Sequence, residues 1–472
     1  MPDGLGPAVL ETLTESLGQH GWIDGASDDA APYLTDWSQA YAGTAIGVAR
    51  PSSVEEVQAV MRWAAAEGVA VVPQGGHTGL VGGGTPFSKG RKVVLSLKRM
   101  NRVRKIDPAN YTMITEAGVI LQDAQKAALD ADRFFPLSLG AEGSCTVGGN
   151  ISTNAGGVNV IRYGNARALV LGLEVVLPDG EIWNGLRTLR KDNTGYHLKE
   201  LFMGAEGTLG VITAAALKLF PKPTATASAW VATPSVATAL ELLHVARAET
   251  GDAVETSELI TRSLVETVVE KMDDVRDPLP DESPFYVLME VSTTRRGENG
   301  QSPVDVLEGA LAQAFERGLA TDALIAQSEH QRADFWKIRE QAPEALQRIG
   351  PRISWDVTLP LSALPEFYAA AEKKMAEVAP HVWFYGFGHM GDGNLHYVAT
   401  SEDIKGLKEV LDRTLYDLVV SFDGSFSAEH GIGQKRTTEL ERYKSPVEYK
   451  LMQALKAAID PDGRMNPGKV LG

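Results

Sequence analysis

Hydrophobic and polar positions along the chain change texture near residue 220. Before that point, short apolar runs alternate with helical patterns and are interrupted by glycine-rich loops. After it the alternation continues without such loops. Residues 8–18 predict an amphipathic helix stopped at Gly18, and residues 46–50 a strand closed by Pro51. Ser52 or Ser53 then caps a helix that carries Glu55 and Glu56 in its first turn, where the dipole favours negative charge. Its apolar positions 54, 57, 60, 61 and 64 keep helical spacing, and residues 69–73 return as a strand, completing a β-α-β unit. Strands are predicted over 93–97, 111–116, 168–177, 181–184 and 211–220, and helices over 119–129 and 193–203. Pro178-Asp179-Gly180 is the turn between two of those strands. The linker is Pro221-Lys222-Pro223. Beyond it come strands at 230–233 and 285–291, helices at 236–249, 304–318 and 335–349, a hairpin at 383–397, and helices at 407–420 and 444–459. This second region reads as an α+β module, set as a cap over the first.

Two stretches stand out because they cannot build a core. Residues 144–164, SCTVGGNISTNAGGVNVIRYG, are crowded with glycine, small hydroxyl residues and asparagine. Glycine in regular structure costs roughly 0.5–1 kcal/mol relative to alanine, so such density implies a large partner lying close to backbone. Residues 74–84, QGGHTGLVGGG, follow a strand directly. Glycines this close let backbone N–H groups converge on an anion. No GK[ST] follows, and no helix opens at the end, so the loop is neither a Walker nor a Rossmann element. A plain glycine hairpin is the alternative.

The chain has 472 residues, 44% of them hydrophobic, which suggests two or three domains. A net charge of −16 argues against nucleic acid as a main partner. Cys145, the single cysteine, permits no internal disulfide and fits a reducing compartment. It reads as a small buried residue rather than a nucleophile. The N-terminal sequence lacks a signal-peptide pattern and no run has membrane-span length, so a cytoplasmic protein is expected.

The hairpin WFYGFGHMGDGNLHY turns over Gly391-Asp392-Gly393-Asn394, which would set His389 opposite His396. Opposed residues on one face have Cβ atoms roughly 4.5–5.5 Å apart, near enough for two imidazoles to share a metal ion. Glu429-His430, in SAEHGIG, can supply a third ligand, and two histidines with one carboxylate suit zinc or another divalent first-row ion. Two histidines merely packed across a hairpin are the alternative.

Six motifs occur in order: PQGGHTGLVGGG, GSCTVGGNISTNAGGVNVIRYGN, EGTLGVIT, GHMGDGNLH, SAEHGIGQKR and DPDGRMNPGKVL. Together they resemble the FAD-linked oxidoreductases of the vanillyl-alcohol-oxidase superfamily, and within it the D-2-hydroxyacid dehydrogenases. The resemblance implies an α+β fold. Residues 1–222 would form an FAD-binding domain of two subdomains, 224–415 a cap domain for substrate, and 416–472 a C-terminal segment returning to the flavin.

It also implies a set of FAD-binding positions. In the first motif these are Pro73, Gln74, Gly75, Gly76, His77, Thr78, Gly79, Leu80 and Gly82. In the second they are Ser144, Gly148, Gly149, Asn150, Ser152, Thr153, Asn154, Gly156, Gly157, Tyr163 and Gly164. Glu206, Gly207, Gly210, Val211 and Ile212 follow in the third, and Asn466 in the last. His389, His396 and Glu429 match the metal ligands, His430 the general base, Asn394 a substrate contact, and Arg339 the arginine that pairs with the substrate carboxylate. The implied reaction is oxidation of a small D-2-hydroxy acid, with electrons passing to an acceptor such as an electron-transfer flavoprotein, a quinone or a cytochrome. A homodimer is expected.

Departures from the family pattern bear on substrate. Pro343 and Ser354 stand where D-2-hydroxyglutarate enzymes commonly carry Thr and Lys, and Arg352 is the basic residue that would substitute. His77 stands where many relatives have Asn, and it would bond the flavin or the loop, covalent attachment being the alternative. The other readings are a metal-dependent hydrolase whose glycine loops hold a phosphorylated substrate, an oxygen-using flavin oxidase, and a flavin-binding scaffold without chemistry.

Overall fold

The computed structural model describes residues 7–87, 90–279, 281–295 and 302–472. The chain forms two compact units. The first comprises residues 1–156, 165–221 and 429–472, and the second comprises 157–164 and 222–428. Residues 416–428, placed with the C-terminal segment from the sequence, therefore belong to the second unit.

The first unit contains a four-stranded sheet ordered Trp22–Asp24, Gly47–Ala49, Lys92–Ser96, Ala70–Gln74. The last three are mutually parallel, as a β-α-β unit requires. The crossover helix Val54–Ala66 starts where the sequence predicts, with the Ser53 side chain accepting from Glu56 N. It buries Val57, Val60, Met61 and Ala64 against Val71, Val93 and Leu95 of the sheet. A five-stranded antiparallel sheet follows in the order Val103–Asp107, Thr112–Glu116, Val211–Lys218, Val170–Val176, Ile182–Gly185. The helix expected over 193–203 is absent. Only a single turn, Leu198–Leu201, forms there. Asp192 turns the chain by accepting from Thr194 N, Gly195 lies at φ 126°, and Tyr196 is exposed, so the first part of the segment is turned and solvated rather than helical.

The second unit is built on a seven-stranded antiparallel sheet. Its order is Asp322–Ile325, Ala225–Thr233, Phe285–Thr293, Val254–Thr261, Trp383–His389, Asn394–Thr400, Arg352–Thr358. One face packs on helices Arg262–Lys271, Glu329–Glu340 and Ala342–Ile349 through Trp230, Ile260, Tyr286, Phe335, Ile338 and Leu346. The single helix predicted over 335–349 is two, broken at Gln341. Pro343 sits in the first turn of the second helix, where its missing N–H costs nothing.

Candidate functional site

In the first unit the glycine loop leaves strand Ala70–Gln74 and returns as strand Lys92–Ser96. Gln74 closes it from within, its Nε2 donating to Tyr33 O at 2.9 Å and Gly84 O at 2.8 Å. Among the described residues, none accepts a hydrogen bond from the backbone N–H groups of Gly75 to Gly79. His77 adopts φ 62°, the left-handed region, so the loop turns sharply within this run. Its Nε2 lies 3.0 Å from Thr85 Oγ1, and burial pushes the imidazole below its usual range. A Cβ on Gly76 would stand 2.2 Å from Ser144 O, and one on Gly75 2.4 Å from Thr146 Oγ1. Glycine is what lets the two glycine-rich stretches touch. Thr146 then caps the helix Val147–Ser152. Cys145 is buried, takes a bond from Asn150 Nδ2 at 3.4 Å, and has its thiol pushed up by burial, so it is no nucleophile.

The cleft formed by these loops is lined by Pro73–Gly79, by Gly82, Gly148, Gly149, Asn150, Ser152 and Thr153, and by Glu206, Gly207, Gly210, Val211, Ile212 and His430. His430 reaches this wall because of Glu206. That carboxylate accepts from Ile432 N and Gly433 N, both at 2.7 Å. Burial pushes it above the usual carboxylate range, and the two N–H donors oppose the shift. Gln434 Nε2 donates to Gly82 O at 2.9 Å, and Asn466 Nδ2 donates to Gly83 O and Glu206 O. Replacing Glu206 by leucine should leave two buried donors unpaired, at about 1–3 kcal/mol each. The expected result is a clear drop in thermal and urea midpoints, and unchanged midpoints would remove this anchoring role.

Several expected cofactor positions lie off the cleft. Leu80 and Ser144 are exposed. Gly157, Tyr163 and Gly164 belong to the second unit, where Tyr163 Oη donates to Glu255 Oε1 at 2.7 Å. Asn154 instead accepts from Arg167 N. A Cβ on Gly156 would meet Glu429 Oε1 at 2.7 Å, so that glycine makes room for a carboxylate. Asn466 acts from behind the wall, with its Oδ1 buried and unpaired among the described residues. Val81, Gly83, Gly84, Thr85, Leu97, Cys145 and Thr146 also line the cleft and were not singled out, although most fall inside the two glycine-rich stretches.

In the second unit the hairpin register differs from expectation. Phe387, not His389, pairs with His396. The loop has four residues but starts one residue earlier than expected, as a 3₁₀ turn at Met390–Asp392 closed by Gly393 at φ 78°. A slip of two keeps both histidines on one face, because side chains alternate with period two. Their rings stand 5.5 Å apart, edge to face. His389 is paired instead with Glu258 of strand Val254–Thr261. Its Nδ1 is in short contact with Glu258 Oε1, and Arg339 Nε donates to Glu258 Oε2 at 2.6 Å. Burial alone would raise the Glu258 carboxyl, but the charges and bonds of Arg339 and His389 prevail and hold it far below the usual range. His396 Nδ1 faces the fully buried Asp356 at 3.9 Å. Asn394 Nδ2 donates to Asp356 Oδ1 at 2.8 Å and to Val357 O at 3.0 Å, leaving Oδ1 buried without a partner among the described residues. Arg339 lies over the Phe387 ring at 5.1 Å, and no described residue bonds its Nη1 or Nη2. Glu258 and Asp356 give no signal in the sequence, because their burial depends on Arg339, His389 and Asn394, which lie on other elements.

Model matches place an FAD binding domain over residues 45–185 and the C-terminal domain of FAD linked oxidases over residues 222–470. The chain belongs to the FAD-linked oxidases. Within them it falls in the D-2-hydroxyacid dehydrogenase group. It is 39% identical over 437 residues to the mitochondrial D-2-hydroxyglutarate dehydrogenase of Rattus norvegicus, covering 92% of this chain and 80% of that one. It is 36% identical over 454 residues to a D-2-hydroxyglutarate–pyruvate transhydrogenase of Saccharomyces cerevisiae, covering 94% and 90%. Its fold matches a substrate-bound p-cresol methylhydroxylase with a TM-score of 0.73 at 18% identity, over 100% of this chain and 98% of that one. This places the FAD-linked oxidase in the vanillyl-alcohol-oxidase fold family. The cytoplasmic expectation is corrected by these relatives, since those from rat, cattle and Arabidopsis thaliana are named as mitochondrial. Among the described residues no helix is long and apolar enough to cross a membrane.

Proposed function

We propose that this FAD-linked oxidase is a metal-dependent dehydrogenase converting a D-2-hydroxy acid to its 2-oxo acid. The observation that carries the reading is the first unit's cleft: a run of N–H groups from Gly75 to Gly79 without a described acceptor, and His430 on the same wall. An anionic diphosphate satisfies such a run, and the glycine packing against Ser144 leaves backbone within reach of it. The residues therefore fit FAD, which would be held by Gly75–Gly79 together with the wall from Gly148 to Thr153 and Gly207 to Ile212.

For the metal, the fit rests on donor chemistry. An imidazole whose Nδ1 proton goes to a carboxylate keeps a lone pair on Nε2, and His389 meets that condition through Glu258. His389, His396 and Glu429 are the proposed ligands, and their nitrogen and oxygen donors suit zinc. When bound, the flavin supplies a two-electron acceptor and the ion a Lewis acid. The chain's own residues do the rest. Arg339 presents its Nη1–Nη2 fork to the substrate carboxylate. Asn394, whose Oδ1 has no partner among the described residues, is a further polar contact for the substrate. His430 takes the hydroxyl proton as general base.

The rat and yeast relatives are named for D-2-hydroxyglutarate, yet Pro343 and Ser354 here offer a distal carboxylate little. Ser354 and Arg352 share a strand face with Asp356, and both are exposed. A dicarboxylate would be read by Arg352, and a lactate-like substrate would need neither. The acceptor we favour is an electron-transfer flavoprotein, a quinone or a cytochrome.

Anaerobic titration of the purified yellow protein with a panel of D- and L-2-hydroxy acids tests the reading. Bleaching by D acids and not by their L enantiomers is expected. A colourless protein, or flavin that no hydroxy acid bleaches, would overturn it. Gly76→Ala should purify without flavin, because its Cβ would run into Ser144 O and Cys145 Cα, which are backbone atoms that cannot swing aside. The check is the visible absorbance of the variant, and a flavin-loaded Gly76→Ala would count against the cradle.

A further inference from the structure

We infer that Glu258 is a positioning residue, a single buried carboxylate that sets both the proton position on His389 and the direction of Arg339. The inference rests on the proposed roles of those two residues. Glu258 is fully buried in the middle of the second unit's sheet, on strand Val254–Thr261. Its two oxygens are divided. Oε1 contacts His389 Nδ1, and Oε2 takes Arg339 Nε at 2.6 Å.

Each half has a chemical consequence. A carboxylate can only accept, so the proton between it and His389 resides on Nδ1, which gives Nε2 the lone pair a metal ion needs. Nε is the one guanidinium nitrogen that faces back along the side chain. Tying it to Oε2 while the plane rests on Phe387 turns Nη1 and Nη2 outward as a fork. Asp356 backs His396 at 3.9 Å, but it also holds Asn394, so the two carboxylates are not interchangeable.

Glu258→Gln separates this role from mere packing. The amide has nearly the same shape but one acceptor for two donors. If its oxygen keeps Arg339, its NH₂ faces His389 Nδ1 and favours the tautomer protonated on Nε2. If its oxygen keeps His389, Arg339 loses its tether. The experiment uses full-length flavin-loaded protein, with Zn²⁺ affinity measured by competition against a chromophoric chelator and KM and kcat measured separately. Thermal midpoint and flavin content report the fold. The expected result is a loss of about 10–100-fold in Zn²⁺ affinity, as for other groups that orient metal-bound histidines, or a comparable rise in KM where the amide keeps His389. Arg339→Met should raise KM while leaving Zn²⁺ affinity intact.

Should Glu258→Gln fail to fold, ¹⁵N chemical shifts of the wild-type histidines decide the matter, with His389 expected to carry its proton on Nδ1. A folded Glu258→Gln with wild-type Zn²⁺ affinity and KM would overturn the inference, as would a wild-type His389 protonated on Nε2. If the wild-type protein binds no Zn²⁺, the metal reading itself falls and this inference with it. Zn²⁺ bound equally by wild type and variant, with KM unmoved, sinks the inference alone.

Discussion

His430→Ala is expected to purify yellow and to turn over about 10²–10⁴-fold more slowly than the wild-type enzyme, the range that a positioned general base contributes. The side chain lines the same cleft as Gly75–Gly79. The loop that carries it is held by other atoms, the backbone N–H groups of Ile432 and Gly433 on Glu206 and the Gln434 amide on Gly82 and Thr85. Alanine at 430 removes the imidazole and leaves those bonds in place, so flavin content should not change. Anaerobic stopped-flow reduction reads the loss directly. Partial rescue by added imidazole would mark the missing group as a proton acceptor. A variant that reduces its flavin at the wild-type rate would take the base role away from His430.

Stripping divalent ions is expected to stop flavin reduction by the hydroxy acid while leaving the flavin spectrum intact, and adding Zn²⁺ back should restore it. Lewis-acid action on an alcohol oxygen contributes several kcal/mol to a transition state in which that oxygen gains charge. Loss of that contribution is a large effect by any assay. The flavin should stay because the cleft of the first unit contains neither His389 nor His396. Rapid reduction in protein shown by elemental analysis to be metal-free would dismiss the metal from the mechanism. His389→Ala should repeat the result of stripping, without rescue by Zn²⁺.

The sequence exposed the cleft of the first unit far better than the buried polar cluster of the second. Glycine is legible because it marks backbone approach without needing to know what approaches. Gly76 against Ser144 and Gly148 against Ala117 are contacts of that kind. At Gly156 the approaching group is Glu429, and Gly157–Gly164 is a segment of the second unit. Strand Val254–Thr261 was invisible for the opposite reason. Every residue in it is buried, yet five of the eight are polar. Glu255 is matched by Arg162 and Tyr163, and Glu258 by Arg339 and His389, and those partners are remote in sequence. A buried charge is tolerated once it is paired, but pairing is a property of the fold and leaves no periodicity to read. Strand Arg352–Thr358 does alternate polar and apolar residues, but that pattern puts Asp356 on the polar face and gives no sign of its burial against Asn394. The hairpin histidines were found because glycines flank them. Their register differs because the four-residue loop begins at Met390, as a 3₁₀ turn, one residue before the expected Gly391.

The way the first unit draws on distant parts of the chain sets an order for its assembly. Met465 bridges Val71 in parallel, Asn466 reaches Gly83 across 383 residues, and Lys469 bonds Thr85. Contacts so remote form late, since loop closure must precede any reward from them. During synthesis the glycine loop leaves the ribosome long before the residues that brace it. The second unit, apart from its short 157–164 segment, lies on one continuous stretch from 222 to 428 and can fold in that interval. Capture of the cofactor is then expected to be a closing event of biogenesis, and a nascent chain halted before residue 464 should have its second unit folded while the cleft of the first is still unbraced.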